Sequence, residues 1–262
     1  MNASSFAPQL PDSLAFVAIG DSFTEGLSDP GVDGAFRGWA DRVAEGLAGH
    51  VTDLRYANLA VRGKLVRQIV GEQVPEAIAL NPDLVALSAG GNDIIRPGGD
   101  PDRVARVFES GVARLRAAGA RVLICTGGDL GWQPVMRHLR GRVATYNMHL
   151  WGIAQKYDCS VVDLWWMRVL QDGRAWSGDR LHLSADGHRR VALRALEVLG
   201  VTPEEDWRAP LPPDEPVAWS AARQEDLRWA REYLVPWVRR RIQGVSSGDG
   251  RAAKRPTLGP LR

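Results

Sequence analysis

The stretch Gly20-Asp21-Ser22 sets an alcohol directly after an apolar run, and Asp179 stands three residues before His182. A serine hydroxyl is a poor nucleophile at its own pKa, so it needs a neighbouring base to take its proton. A histidine held by a carboxylate supplies one: the carboxylate accepts the Nδ1 proton, and Nε2 is left to receive the serine proton. Acyl transfer also needs donors for the oxyanion that develops. Asn92, in Gly90-Gly91-Asn92-Asp93, offers a side-chain N–H. Gly63, which ends the stretch NLAVRG, offers a backbone N–H with no Cβ in the way, and Ser22 offers its own. Ser22, Asp179 and His182 are therefore the candidate catalytic residues. Ser22, Gly63 and Asn92 are the candidate oxyanion donors.

Each of these residues has a plainer reading. Gly, Asp and Ser are all good turn formers, and Asp21 is better read as shaping the turn than as taking part in chemistry. Gly63 alone would pass as a turn into the following helix. Asn92 would pass as a loop brace, and Asp93 reads as structural. Of the five histidines, His188 follows Gly187 inside a helical stretch and reads as a packing or capping residue. His50, His138 and His149 fall on helices or helix ends, as surface or satisfied polar groups. His182 precedes the last helix, in a loop from which a base can reach Ser22.

The elements that must position these groups alternate along the chain. Residues 14–19, 53–59, 83–89, 121–127 and 159–165 read as strands, the third nearly all apolar, as suits a strand buried on both faces. Helical periodicity runs through 36–49, 64–80, 101–119, 134–157 and 184–200. In the first of these Trp39, Val43 and Leu47 share a face. Ser184 suits the N-cap of the last and Gly200 its stop. Strands alternating with helices predict an α/β fold with a parallel sheet covered on both faces. Ligands in such sheets sit beyond the carboxyl ends of the strands. All four polar motifs fall on that edge, which weighs against the turn-only reading.

Residues 1–201 form the expected domain. A Pro- and acid-rich linker follows, leading to a helix over about 217–242, with Leu227, Leu234, Trp237 and Ile242 as the stripe that packs it back on the domain. Residues 202–243 hold both pieces, and 244–262 read as a flexible basic tail. That tail is +3 in a chain of 262 residues and net charge +2, which leaves residues 1–243 at −1, so the charge does not describe a nucleic-acid face. The N-terminus has neither a basic start nor a sustained apolar run, and no stretch is apolar enough to span a bilayer. A cytoplasmic protein with no membrane span is expected. Cys125 and Cys159 lie in apolar runs and read as reduced thiols. Trp132 and Trp176 are candidates for the walls of a substrate site.

Taken together, GDSFTEG, NLAVRG, GGND and DRLHLSADGH resemble the four sequence blocks of the SGNH hydrolases, also called the GDSL esterase/lipase family. The resemblance covers about residues 14–200, in the right order. It departs from the usual signature at Phe23, where Leu is common. It implies a three-layer α/β/α, flavodoxin-like sandwich with a five-stranded parallel sheet. It also implies Ser22 as nucleophile, His182 as base, Asp179 as its orienter, and Gly63 and Asn92 beside Ser22 in the oxyanion hole. The expected activity is hydrolysis of a small-molecule ester, with a short acyl group such as acetyl, without cofactor or metal. An acyltransferase would differ only in whether water or another alcohol resolves the acyl-enzyme. A metal-dependent phosphoesterase would need several His and Asp ligands close together, and His182 is the only well-placed histidine. A non-catalytic binder would be expected to have lost at least one member of the set.

Overall fold

The computed structural model describes residues 10–261 apart from 32–33, 214–218, 237–238 and 240–245. Strand β1 (Ser13–Gly20) lies at the centre of the sheet and is buried from Leu14 onward. Its side chains alternate between two cores, as the period of a strand requires. Leu14, Phe16 and Ala18 meet helices α2 (Gly38–Ala48) and α8 (Ala185–Val198) on one face. Val17 and Ile19 meet α6 (Pro101–Ala117) and α7 (Arg140–Tyr157) on the other. Trp39, Val43 and Leu47 are fully buried, so the apolar face read from the sequence is the one that packs.

The sheet order is β5-β4-β3-β1-β2-β6. The strands are β2 (Asp53–Asn58), β3 (Leu84–Ser88), β4 (Arg121–Cys125), β5 (Ser160–Val162) and β6 (Arg255–Pro260). The first five run parallel, and with helices on both faces they make the expected three-layer α/β/α sandwich. The carboxyl ends of β1, β3 and β4 therefore share one edge. Short helices begin there after β1, α1 (Ser22–Glu25), and after β3, α5 (Gly91–Ile94).

Several expectations need correction. The sheet has six strands, because β6 pairs antiparallel with β2. The supposed flexible tail thus supplies an edge strand, and its two prolines are the reason its pattern does not read as one. Lys254 anchors it: Nζ donates to the carbonyls of Glu25 at 2.6 Å and Phe36 at 2.7 Å and meets Asp41 Oδ2 at 2.5 Å. The C-terminal helix, α9 (Trp219–Trp229), continues into a π-helical turn (Ala230–Leu234). Leu227, expected to face the domain, is 73% exposed. The Leu234 side chain, Trp237 and Ile242 lie outside the described residues.

The helical stretch expected over 64–80 is broken into α3 (Val66–Gln68), a π-helical turn (Ile69–Gln73) and α4 (Val74–Ala79). Ser184 caps α8 by accepting the N–H of Gly187 at 3.2 Å. Among the described residues, no helix is long and apolar enough to cross a membrane.

Candidate active site

Ser22 is the first residue of α1, and the turn that delivers it depends on Gly20. A Cβ there would lie 2.5 Å from the Ser88 carbonyl oxygen and 2.6 Å from Thr24 Oγ1, so only glycine fits. The Gln73 side chain holds Gly20 from the far side, accepting its N–H at 2.8 Å and donating to its carbonyl at 3.0 Å. Asp21 caps α1 by accepting the Phe23 N–H at 3.1 Å. Burial pushes the Asp21 carboxyl up to about 6, although the Phe23 N–H, the nearby His182 and the Asn92 amide all pull it down.

The base side is a tight hairpin. Trp176 bridges Leu183, and the Ser177 N–H donates to the His182 carbonyl at 2.8 Å. Inside the hairpin, Asp179 Oδ1 accepts from Ser177 Oγ at 2.6 Å and from the N–H groups of Leu181 and His182, each at 2.9 Å. Asp179 Oδ2 faces His182 Nδ1 at 2.6 Å. Burial alone would raise the Asp179 carboxyl. The hydrogen bond and charge of His182, with the Ser177 hydroxyl, instead hold it well below the usual carboxylate range. An ionised Asp179 fixes the proton on Nδ1 and leaves Nε2 as the acceptor.

His188 also reaches the cavity wall, but both its nitrogens are engaged. Nδ1 accepts the Trp39 N–H at 3.2 Å, and Nε2 donates to the Leu27 carbonyl at 3.1 Å. Burial lowers its pKa to about 4. His188 is a neutral packing group stacked on Phe23, as its place inside a helix implied. His149 pairs with Asp102 at the surface.

Asn92 sits in α5. Its Nδ2 donates to Asp21 Oδ2 and to the Lys64 carbonyl, each at 3.1 Å, which draws the amide between the Ser22 turn and the Gly63 loop. Gly63 has φ +76°, a conformation that residues bearing a Cβ avoid, so glycine suits this turn. The loop is tied to α1 through Glu25, which accepts the Arg62 N–H at 2.6 Å and pairs with its guanidinium. Asp93 caps α3 by accepting the Val66 N–H at 2.9 Å, a structural role.

Ser22, Asn92 and His182 line one cavity of about 210 Å³. Asp179 stands behind His182, and Gly63 lies beyond the lining residues, next to Lys64, whose carbonyl Asn92 holds. The walls are mainly apolar, with Ile94, Val143 and Leu170 among them. Trp132 and Trp176 both line it, their ring centroids 5.7 Å apart. Cys125 reaches the cavity as a buried free thiol whose pKa burial drives far up, so it stays protonated. Among the described residues, no group of three His, Cys, Asp or Glu side chains is placed to hold a metal ion. Gln73 supports the site with no signal in the sequence, and although Glu25 and Arg62 lie inside the GDSFTEG and NLAVRG stretches, their pairing across 37 residues leaves no local mark.

Residues 18–190 match the model of the GDSL-like Lipase/Acylhydrolase family. No curated protein matches the sequence. Among solved structures, TesA is similar over 70% of this chain and 97% of its own, with 22% identity and TM-score 0.59. Axe2, an acetylxylan esterase from Geobacillus stearothermophilus, is similar over 76% of this chain and 98% of its own, with 21% identity and TM-score 0.63. LAE5, described as an alpha/beta hydrolase enzyme from the metagenome of Lake Arreo, Spain, is similar over 73% and 97%, with 23% identity and TM-score 0.61. These likenesses are to the fold.

Proposed function

We propose that this chain, which belongs to the GDSL-like lipase/acylhydrolase family, is a serine esterase that removes a short, acetyl-like acyl group from an alcohol. The observation that carries the reading is the single cavity lined by Ser22, Asn92 and His182, with Asp179 on the far nitrogen of the imidazole. Ser22 Oγ attacks the ester carbonyl while His182 Nε2 takes its proton. The oxyanion receives hydrogen bonds from the Ser22 N–H and from the Asn92 amide, which gives up one of its donations to Asp21 or the Lys64 carbonyl to reach it, with the Gly63 N–H as the third donor. Collapse breaks the bond to the alcohol, which leaves with the proton from His182, and the acyl group stays on Ser22. Water then attacks the acyl-enzyme, giving its proton to Nε2. The carboxylic acid departs, and Ser22 recovers its proton.

The short acyl group is supported by the similarity to a fold that in Axe2 serves an acetylxylan esterase. A serine-reactive phosphonate is expected to label Ser22 and stop hydrolysis of p-nitrophenyl acetate. A label mapped elsewhere, with Ser22→Ala still active, overturns the assignment. In a series of p-nitrophenyl esters kcat/KM is expected to fall as the chain lengthens, and a maximum at long chains would overturn the acetyl preference.

A further inference from the structure

We propose that Trp229 and Asp226, on the C-terminal helix, are positioning residues that hold Arg180 in a left-handed conformation and thereby set the Asp179–His182 pair. The proposal rests on the reading of that pair as the base and its orienter. Both residues lie beyond 18–190, the span the family model matches.

Arg180 has φ +57°, a region that residues bearing a Cβ avoid. The hairpin needs it there. With residue 180 turned left-handed, Asp179 Oδ1 accepts the N–H groups of both Leu181 and His182, and Oδ2 remains for the imidazole. Three tethers meet on this one residue. The Trp229 indole N–H donates to the Asp179 carbonyl at 2.9 Å. That carbonyl belongs to the peptide unit ending at the Arg180 nitrogen, so the contact fixes one side of the φ torsion. The Arg180 side chain fixes the other side, through an ion pair to Asp226 at 2.7 Å and its guanidinium 5.2 Å from the Trp229 ring centroid. The Gln133 amide donates to the Arg180 carbonyl at 2.5 Å and holds the next peptide unit. Asp226 is itself braced by Arg223 at 3.3 Å. The helix thus grips the one strained residue between the carboxylate and the imidazole, and it touches neither reacting group.

Trp229→Phe removes the indole N–H and keeps a ring, and Asp226→Asn removes the ion pair. Each is expected to lower kcat several-fold, on the order of fivefold, with KM little changed. Each is also expected to move the low-field proton NMR signal of His182 Nδ1–H in the substrate-free enzyme. Leu227→Ala, on the exposed side of the same helix, is expected to do neither. In an Arg180→Gly background, where glycine takes the left-handed conformation without a tether, the loss from Trp229→Phe is expected to shrink. A wild-type kcat and an unmoved signal in folded Trp229→Phe and Asp226→Asn would overturn the proposal. So would equal losses in the two backgrounds. The proton signal is read without turnover, so it judges the tether even if Ser22→Ala were to remain active and the esterase reading were to fall.

Discussion

Asp179 grips His182 twice: Oδ2 meets the ring at Nδ1 at 2.6 Å, and Oδ1 accepts the backbone N–H of the same residue at 2.9 Å. The imidazole therefore cannot turn about its side-chain bonds without losing a charge-assisted hydrogen bond, while the backbone that carries it stays fixed.

If Ser22, His182 and Asp179 act as one device, their losses cannot add. Ser22→Ala and His182→Ala are each expected to lower kcat by several orders of magnitude, with the double variant scarcely worse. Asp179→Ala is expected to cost less than either, because Asp179 acts through the imidazole. Additive losses in kcat, measured on variants checked for folding, would reject the triad.

Asn92→Ala is expected to act on kcat far more than on KM, because its donor serves charge that develops only in the transition state. The loss is about 3 kcal/mol, roughly a hundredfold or more. Steady-state kinetics check the split, and an effect confined to KM would make Asn92 a binding or bracing residue.

Asp21 carries a pH signature in stability. Its folded pKa of about 6 lies above the ordinary 3.8, so the folded state holds the proton more tightly than the unfolded chain. That stabilisation is complete below the ordinary value and is lost as pH rises through 6. The unfolding free energy of the wild type minus that of Asp21→Asn is expected to fall by up to about 3 kcal/mol from roughly pH 4 to roughly pH 8. Any fixed penalty from turning an asparagine toward Asn92 cancels in that slope. Urea unfolding at a series of pH values measures it, and a flat difference would contradict a buried, proton-holding Asp21.

Lys254→Met is expected to destabilise the fold by about 3 kcal/mol, since it strips a mostly buried ammonium from Asp41 and three carbonyls. Burial already lifts Asp41 to about 6 with the lysine present. Adding Asp41→Asn to the variant is expected to recover part of the loss, because no uncompensated charge is then left behind. Thermal or urea unfolding of the single and double variants checks both statements.

The strands and most helices were legible because each carries its own signal. Leu14 to Ile19 form an unbroken apolar run, and α6 opens on Pro101. The placement of Ser22, Asn92 and His182 at one edge followed from glycine-rich or turn-forming stretches beyond those runs. The supports of the site were not legible. Gln73 reaches Gly20 across 53 residues, Glu25 reaches Arg62 across 37, and Trp229 reaches Asp179 across 50. No local period marks such contacts, because the fold alone brings the partners together. Strand β6 escaped for the opposite reason: Pro256, Gly259 and Pro260 are local signals, and they point away from a strand.

Without β6 the outer side of β2 would be a row of unpaired N–H and carbonyl groups from Arg55 to Asn58, open to the same row on another molecule. With β6 in place that row is occupied, and the new rim carries Pro256 and Pro260, which have no N–H to offer a further strand. A chain cut before Arg255 would therefore fail first as a colloid, through edge-to-edge association.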